Sequence, residues 1–230
     1  PTMAPFCKDE EKYLVVEGKK ILSLTEKDPK NLPWRKLNID VVVESTGIFT
    51  SSDKARSHLK AGAKRVVISA PAKGDVEHVL CGANEDRLSS PSLGEITSNA
   101  SCTTNAVVPV AAVLMKNPGV KKAMLNTIHG YTVSQALVDS PSPKDFRKGR
   151  AAAQNIIPSH TGAAKAAAKS LPYYEKIFDA IALRVPVISG SIIDFTFVSK
   201  KKTSAKEINN ILRKAAKSDT WKGTLKVSEE

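Results

Sequence analysis

Aromatic residues make up only 5% of this 230-residue chain, and cysteine occurs three times, at Cys7, Cys81 and Cys102. The count is odd and no two cysteines stand at metal-ligand spacing. That argues against a disulfide framework or a zinc site and for a reducing, cytoplasmic setting. No stretch approaches the roughly 20 apolar residues of a membrane helix. Acid is scarce: 23 Asp and Glu face 35 Lys and Arg, a net charge of +12, and such a field attracts anions. The basic residues come in pairs and in one run, "KKK" at residues 200–202. No aromatic side chains interleave with that run, so platforms for stacking bases are missing and a nucleic-acid partner is not expected. The opening "PTMAPFCKDEEKYL" has no basic region followed by an apolar core, so no secretory leader is expected. A first residue of Pro1 instead of Met reads as a missing beginning.

What is present reads as alternating elements. "KYLVVEGKKILSLTEKDP" predicts a hairpin turning at Glu17 and Gly18. "IDVVVE", residues 39–44, is a continuous apolar run of the kind found in strands buried on both faces. "SSDKARSHLKAGAK" has helical spacing, with Ser52 or Asp53 to cap its start and Gly62 its end. "RVVISA", residues 65–70, is the next buried strand, completing a parallel βαβ unit. After Cys102 a buried helix runs to Asn117, with Pro109 leaving the Asn105 carbonyl without a helical partner. "MLNTIHGYTV" predicts a strand, residues 140–150 a loop, and "TGAAKAAAKSL" an alanine-rich helix. "AIALRVPVISGSIIDFTFVSKK" predicts two strands broken near residues 186–190, and "TSAKEINNILRKAAKS" a helix opened by a Ser204–Glu207 capping box.

The chemistry gathers at "SNASCTTNAVVPV", residues 98–110. Cys102 stands among small polar residues at the start of a helix, where free amides and the helix dipole favour a thiolate. A nucleophilic cysteine needs a base, and His129, closing an apolar strand before a polar turn, is the best placed of four histidines. The plain alternative is a free cysteine beside a core histidine.

"SNASCTTN" resembles the active-site signature of the phosphorylating glyceraldehyde-3-phosphate dehydrogenases, and "VVESTGIFT", "GAKRVVISAPAK", "QNIIPSHTGAAKA" and "ALRVPVISGSIID" resemble further stretches of that family, in family order. The resemblance covers nearly the whole chain and is weakest at residues 1–15. It implies the second part of a Rossmann-type parallel sheet over residues 1–101. A catalytic domain over residues 102–230, with a mixed, mostly antiparallel sheet and helices, would follow: α/β, then α+β. It implies that Cys102 attacks the aldehyde of glyceraldehyde 3-phosphate, that His129 handles the protons, and that inorganic phosphate cleaves the resulting thioester. It assigns one anion site to Ser101, Thr103, Thr161 and Gly162, and the other to Thr132 and Arg184. A helix beginning at Thr161 and Gly162 suits a phosphate, though Thr161 could simply cap it. An arginine inside the apolar strand of Arg184 would be costly without an anion or a buried ion pair. Ser134 and His160 depart from the family pattern, which carries Asp or Thr at the first position and Ser at the second.

For the cofactor, NAD with NADP not excluded, the resemblance leaves Lys27, Thr46, Gly47 and Ser69. The Gly-rich turn GxGxxG that cradles the pyrophosphate is not in this sequence. The family also continues beyond the equivalent of Glu230, so the chain is expected to be truncated at both ends. Alone it should not sustain NAD reduction, yet it retains the residues for acyl chemistry. Erythrose 4-phosphate is the alternative substrate, and a Cys-His acyl-transfer protein without redox activity, or a non-catalytic interaction protein, the alternative classes. Residues 134–157 resemble the family's subunit-contacting loop, which implies a homo-tetramer.

Overall fold

The computed structural model describes residues 13–142 and 145–229; Cys7 and residues 143–144 of the predicted loop lie outside them. Strands β1 (Tyr13–Val16) and β2 (Lys19–Leu22) form the expected antiparallel hairpin. Glu17 and Gly18 turn it at φ values of 49° and 77°, the left-handed pair whose twist suits a two-residue hairpin.

A parallel sheet follows, built from β3 (Val41–Glu44), β4 (Arg65–Ile68), β5 (Glu77–His78) and β6 (Ile96–Ser98) in the spatial order β3-β4-β6-β5. Helix α1 (Ser52–Lys60) links β3 to β4, and its Ala55 packs with Val66, Ile68 and Ile96. Two details differ from expectation. Strand β3 is buried on one face only: Val42 is 8% exposed, but Val43 is 62% exposed, because no described element covers the second face. The residue before α1 is Ser51, not Ser52 or Asp53, and it makes no side-chain capping bond. Gly62 does follow the helix end, at φ 109°.

The second sheet is mixed. It holds β7 (Val120–Gly130), β8 (Ile157–Ser159), β9 (Phe178–Val185) and β10 (Ser191–Ser199) in the order β10-β7-β9-β8. β7 runs antiparallel to β10 and parallel to β9, and β8 is antiparallel to β9. The predicted break after β9 exists, yet β9 and β10 are not partners, since β7 lies between them. Helices α2 (Cys102–Lys116), α3 (Ala163–Ser170) and α4 (Ala205–Ala216) bury a core around Val107, Ala111, Leu114, Leu125, Ala167 and Tyr174. The buried Tyr174 hydroxyl donates to the Ala111 carbonyl at 2.8 Å, fixing α2 to the segment after α3. The capping box of α4 is half formed: Ser204 accepts from the Glu207 amide at 3.3 Å, but the Glu207 carboxylate accepts from the Thr203 hydroxyl at 3.0 Å. The architecture is a partial Rossmann-type parallel sheet followed by a mixed, mostly antiparallel sheet under helices. No helix among the described residues is long and apolar enough to cross a membrane.

Candidate active site

Strand β6 ends at Ser98, and α2 opens with Cys102 after a three-residue connection. This is the carboxyl end of a parallel strand, the edge where open α/β sheets bind ligands. Ser101 caps the helix, its hydroxyl accepting from the Thr104 amide at 3.1 Å and lying 2.7 Å from the Thr104 hydroxyl. Cys102 is exposed, with its Sγ 4.0 Å from the largely buried Thr103 hydroxyl.

His129 sits near the end of β7, and its Nε2 is 3.6 Å from the Cys102 Sγ. The register of the second sheet sets Arg184 of β9 directly beside His129. Arg184 Nη1 donates to the Gly130 carbonyl at 2.9 Å and lies 2.6 Å from His129 Nδ1. The same carbonyl is 2.7 Å from that nitrogen. A guanidinium only donates, so while Arg184 occupies Nδ1 the imidazole proton belongs on Nε2, facing sulfur. Burial lowers the Arg184 pKa from its ordinary value, and the charge of Cys102 pushes it back up. Arg184 Nε is buried without a hydrogen-bond partner, and Arg184 forms no ion pair among the described residues. The buried ion pair weighed from the sequence is therefore absent from this part of the chain.

Gly162 is the residue before α3, and the Thr161 hydroxyl accepts from the Ala163 amide at 3.1 Å. Thr132 directs its hydroxyl to Ser134 at 2.9 Å and to Gln135 Oε1 at 3.2 Å. It makes no hydrogen bond to Arg184.

The expected cofactor residues divide. Thr46, Gly47 and Ser69 meet at the carboxyl ends of β3 and β4, where the Ser69 amide and hydroxyl donate to the Glu44 carbonyl at 2.9 and 3.1 Å. Lys27 is exposed in the loop after β2 and makes no hydrogen bond or ion pair with the other three.

Sequence reasoning missed what shapes this turn. Glu44, 3% exposed, accepts from both the amide and the hydroxyl of Thr46. Its second oxygen lies 2.9 Å from His58 Nε2, while Trp34 Nε1 donates to His58 Nδ1 at 3.1 Å. The Trp34 bond leaves the His58 proton on Nε2, so His58 donates to the carboxylate. Burial alone would raise the Glu44 carboxyl, but the hydrogen bonds from Thr46 and His58 outweigh it and hold the carboxyl below its ordinary value. The available signal was an acidic residue ending an apolar strand. Gly47 has φ 74° and open space where a Cβ would stand, which leaves room for a ligand against the backbone.

Fold and site together describe a partial dinucleotide-binding sheet joined, at an exposed cysteine paired with a histidine, to a mixed-sheet domain. Comparisons with known proteins agree. Residues 101–230 match the model of the glyceraldehyde 3-phosphate dehydrogenase C-terminal domain, and residues 2–52 match that of its NAD binding domain. The chain is 44% identical over 218 residues to the glyceraldehyde-3-phosphate dehydrogenase of Zymomonas mobilis, covering 94% of this chain and 64% of that protein. It is 45% identical over 218 residues to that of Atlantibacter hermannii, covering 95% and 73%. It is 43% identical over 221 residues to glyceraldehyde-3-phosphate dehydrogenase 2 of Saccharomyces cerevisiae, covering 96% and 65%. The chain belongs to the glyceraldehyde-3-phosphate dehydrogenase family. It spans about two thirds of the length of these relatives.

Proposed function

We propose that the protein carries out the NAD-dependent oxidative phosphorylation of glyceraldehyde 3-phosphate in glycolysis, through a thioester on Cys102. The observation that carries this reading is the 3.6 Å approach of the Cys102 Sγ to His129 Nε2, with Arg184, which forms no ion pair among the described residues, against the same imidazole. Cys102 sulfur attacks the aldehyde carbon as His129 takes the thiol proton and passes it to the carbonyl oxygen, which becomes the hydroxyl of a thiohemiacetal. His129 takes that hydroxyl proton as the carbon is oxidised to a thioester. NAD, when bound, accepts the hydride. Inorganic phosphate then attacks the thioester carbon, the C–S bond breaks, and Cys102 leaves as thiolate with an acyl phosphate formed.

Arg184 gates the proton work of His129. An anion that draws the guanidinium away leaves Nδ1–H to donate to the Gly130 carbonyl and frees Nε2 to accept a proton. Arg184 and Thr132 hold one phosphate. The start of α3, at Thr161 and Gly162, holds the other together with Ser101 and Thr103. Thr46, Gly47 and Ser69 fit the cofactor, because the turn is braced from below by Glu44 and open above Gly47; Lys27 flanks it. Two domains, over residues 1–101 and 102–230, divide the cofactor and substrate work. The large exposure of Val138 and Phe146, on the loop of residues 134–157, supports association of copies as a homo-tetramer. The chemistry is that of a cytoplasmic enzyme.

The acyl half of the reaction needs only residues this chain contains, and it supplies the test. An activated ester such as p-nitrophenyl acetate should leave an acyl thioester on the Cys102 peptide, found by mass spectrometry and discharged by inorganic phosphate. Cys102→Ser should abolish it and His129→Ala should slow it by about 100-fold, the usual contribution of a general base. Acylation spread evenly over Cys102 and Cys81 would overturn the reading.

A further inference from the structure

The connection that presents Cys102 is bent against its own preference. Ala100, two residues before the cysteine and 2% exposed, has φ 62°. That is a left-handed conformation which a residue with a side chain adopts only when its surroundings force it, and such residues collect at functional sites. On one side the force comes from Ser98, whose hydroxyl accepts from the Ala100 amide at 2.9 Å and donates to the Ala70 carbonyl at 2.7 Å. On the other side it comes from Asn105, one turn into α2. Its Nδ2 donates to the Asn99 carbonyl at 2.7 Å and to the Ser101 carbonyl at 2.9 Å. One carboxamide thus spans the kink, gripping the chain on both sides of Ala100. An asparagine has two amide hydrogens to give, and both are used here.

We propose that Asn105 is a positioning residue for Cys102, its carboxamide holding the Ala100 kink that aims the sulfur at His129. The inference rests on Cys102 being the nucleophile. The need for such a strap follows from the fold. Cys102 is fixed by the connection leaving the parallel sheet, whereas His129 is fixed by β7 of the mixed sheet. If Ala100 relaxes to an ordinary negative φ, the peptide planes of Ser101 and the first turn of α2 rotate, and nothing in the second sheet moves with them. The 3.6 Å approach is then lost while both sheets keep their packing.

The test is the rate of iodoacetamide labelling of Cys102, followed across pH, with the exposed Cys81 as internal reference. Asn105→Asp is nearly isosteric but turns two donors into acceptors facing two carbonyls; Asn105→Ala removes the group. Each should slow Cys102 relative to Cys81 by about tenfold, since displacements near 1 Å at a reacting group cost one to two powers of ten, and each should shift the pH midpoint of labelling. The thermal midpoint should change little, because Asn105 is exposed. Ala100→Gly removes the objection to a left-handed φ, so in that background Asn105→Ala should lose much less. Unchanged Cys102 to Cys81 ratios in both Asn105 variants would overturn the inference. So would an undiminished loss in the Ala100→Gly background accompanied by a lowered thermal midpoint, which is the mark of a merely structural role. A wild-type Cys102 no faster than Cys81 would instead overturn the nucleophile assignment, and this inference with it.

Discussion

Arg184 is a cation in a half-buried place with one of its nitrogens unsatisfied and, among the described residues, no carboxylate to answer it. A group so placed is costly unless an anion arrives, and this makes it the residue whose removal is most informative. Inorganic phosphate should protect Cys102 from iodoacetamide. In Arg184→Leu the phosphate concentration that halves the labelling rate should rise about 10- to 100-fold, the worth of a charge-assisted hydrogen bond. Thr161→Val should raise it less, since the Thr161 hydroxyl is already engaged with the Ala163 amide. Equal protection of all three proteins would remove Arg184 from the anion site. Arg184 could be singled out in the sequence as an arginine in an apolar strand. Its position beside His129, 55 residues away, could not be, because it depends on how β7 and β9 align.

At the scale of elements, the turn after β3 is held by a chain of donors that ends on one buried carboxylate. Glu44→Gln keeps the volume and loses the charge that accepts from Thr46 and His58. It is expected to cost about 1–3 kcal/mol, the range for a buried polar group left badly satisfied, measured by urea unfolding. Because the folded-state pKa of Glu44 is depressed, its stabilisation is present above the ordinary carboxylate range and is lost as pH falls through the folded value. The gap between wild type and Glu44→Gln should therefore close in acid; a gap independent of pH would mean that the charge is not what stabilises. The elements themselves were largely legible, since period and turn residues are local signals. Helix α2, the hairpin at Gly18 and the βαβ unit all lie where the pattern puts them. Three things were not: the bare face of β3, which depends on what fails to cover it; the insertion of β7 between β9 and β10; and the Trp34–His58–Glu44 chain, whose members are 24 and 14 residues apart. Of the site, Cys102 and His129 stood out by type and place. Asn105 did not, since its task shows only once the φ of Ala100 is known.

Over the whole molecule, the two sheets are joined at a seam where β5 meets α3. Lys169 Nζ donates to the Gly74 carbonyl at 3.2 Å there, and the Ser170 hydroxyl to that of His78 at 3.5 Å. His78 is 2% exposed, and neither ring nitrogen makes a hydrogen bond of ordinary geometry among the described residues. Burial first, and then the charge of Lys169, lower its pKa, with the Val76 backbone offsetting part of this. The folded state therefore takes up this proton less readily than the unfolded chain. Its penalty is absent above the ordinary histidine range and grows as pH falls through it. His78→Phe should remove that dependence: between neutral and mildly acidic pH the wild-type thermal midpoint should fall further than the variant's by about 2–4 °C, the shift that 1 kcal/mol makes in a chain of this size. Parallel profiles would show that the seam does not sense His78.

The strand order of the second sheet has a consequence for synthesis. As the chain leaves the ribosome, Cys102 and His129 emerge long before residues 191–199, yet β10 completes one flank of β7 and the Phe195 and Phe197 side chains cover the core beneath it. Until then β7 carries His129 on an open edge, which is a template for pairing with other chains. A nascent chain halted between β9 and β10 would thus hold both Cys102 and His129 and still need a chaperone to stay single.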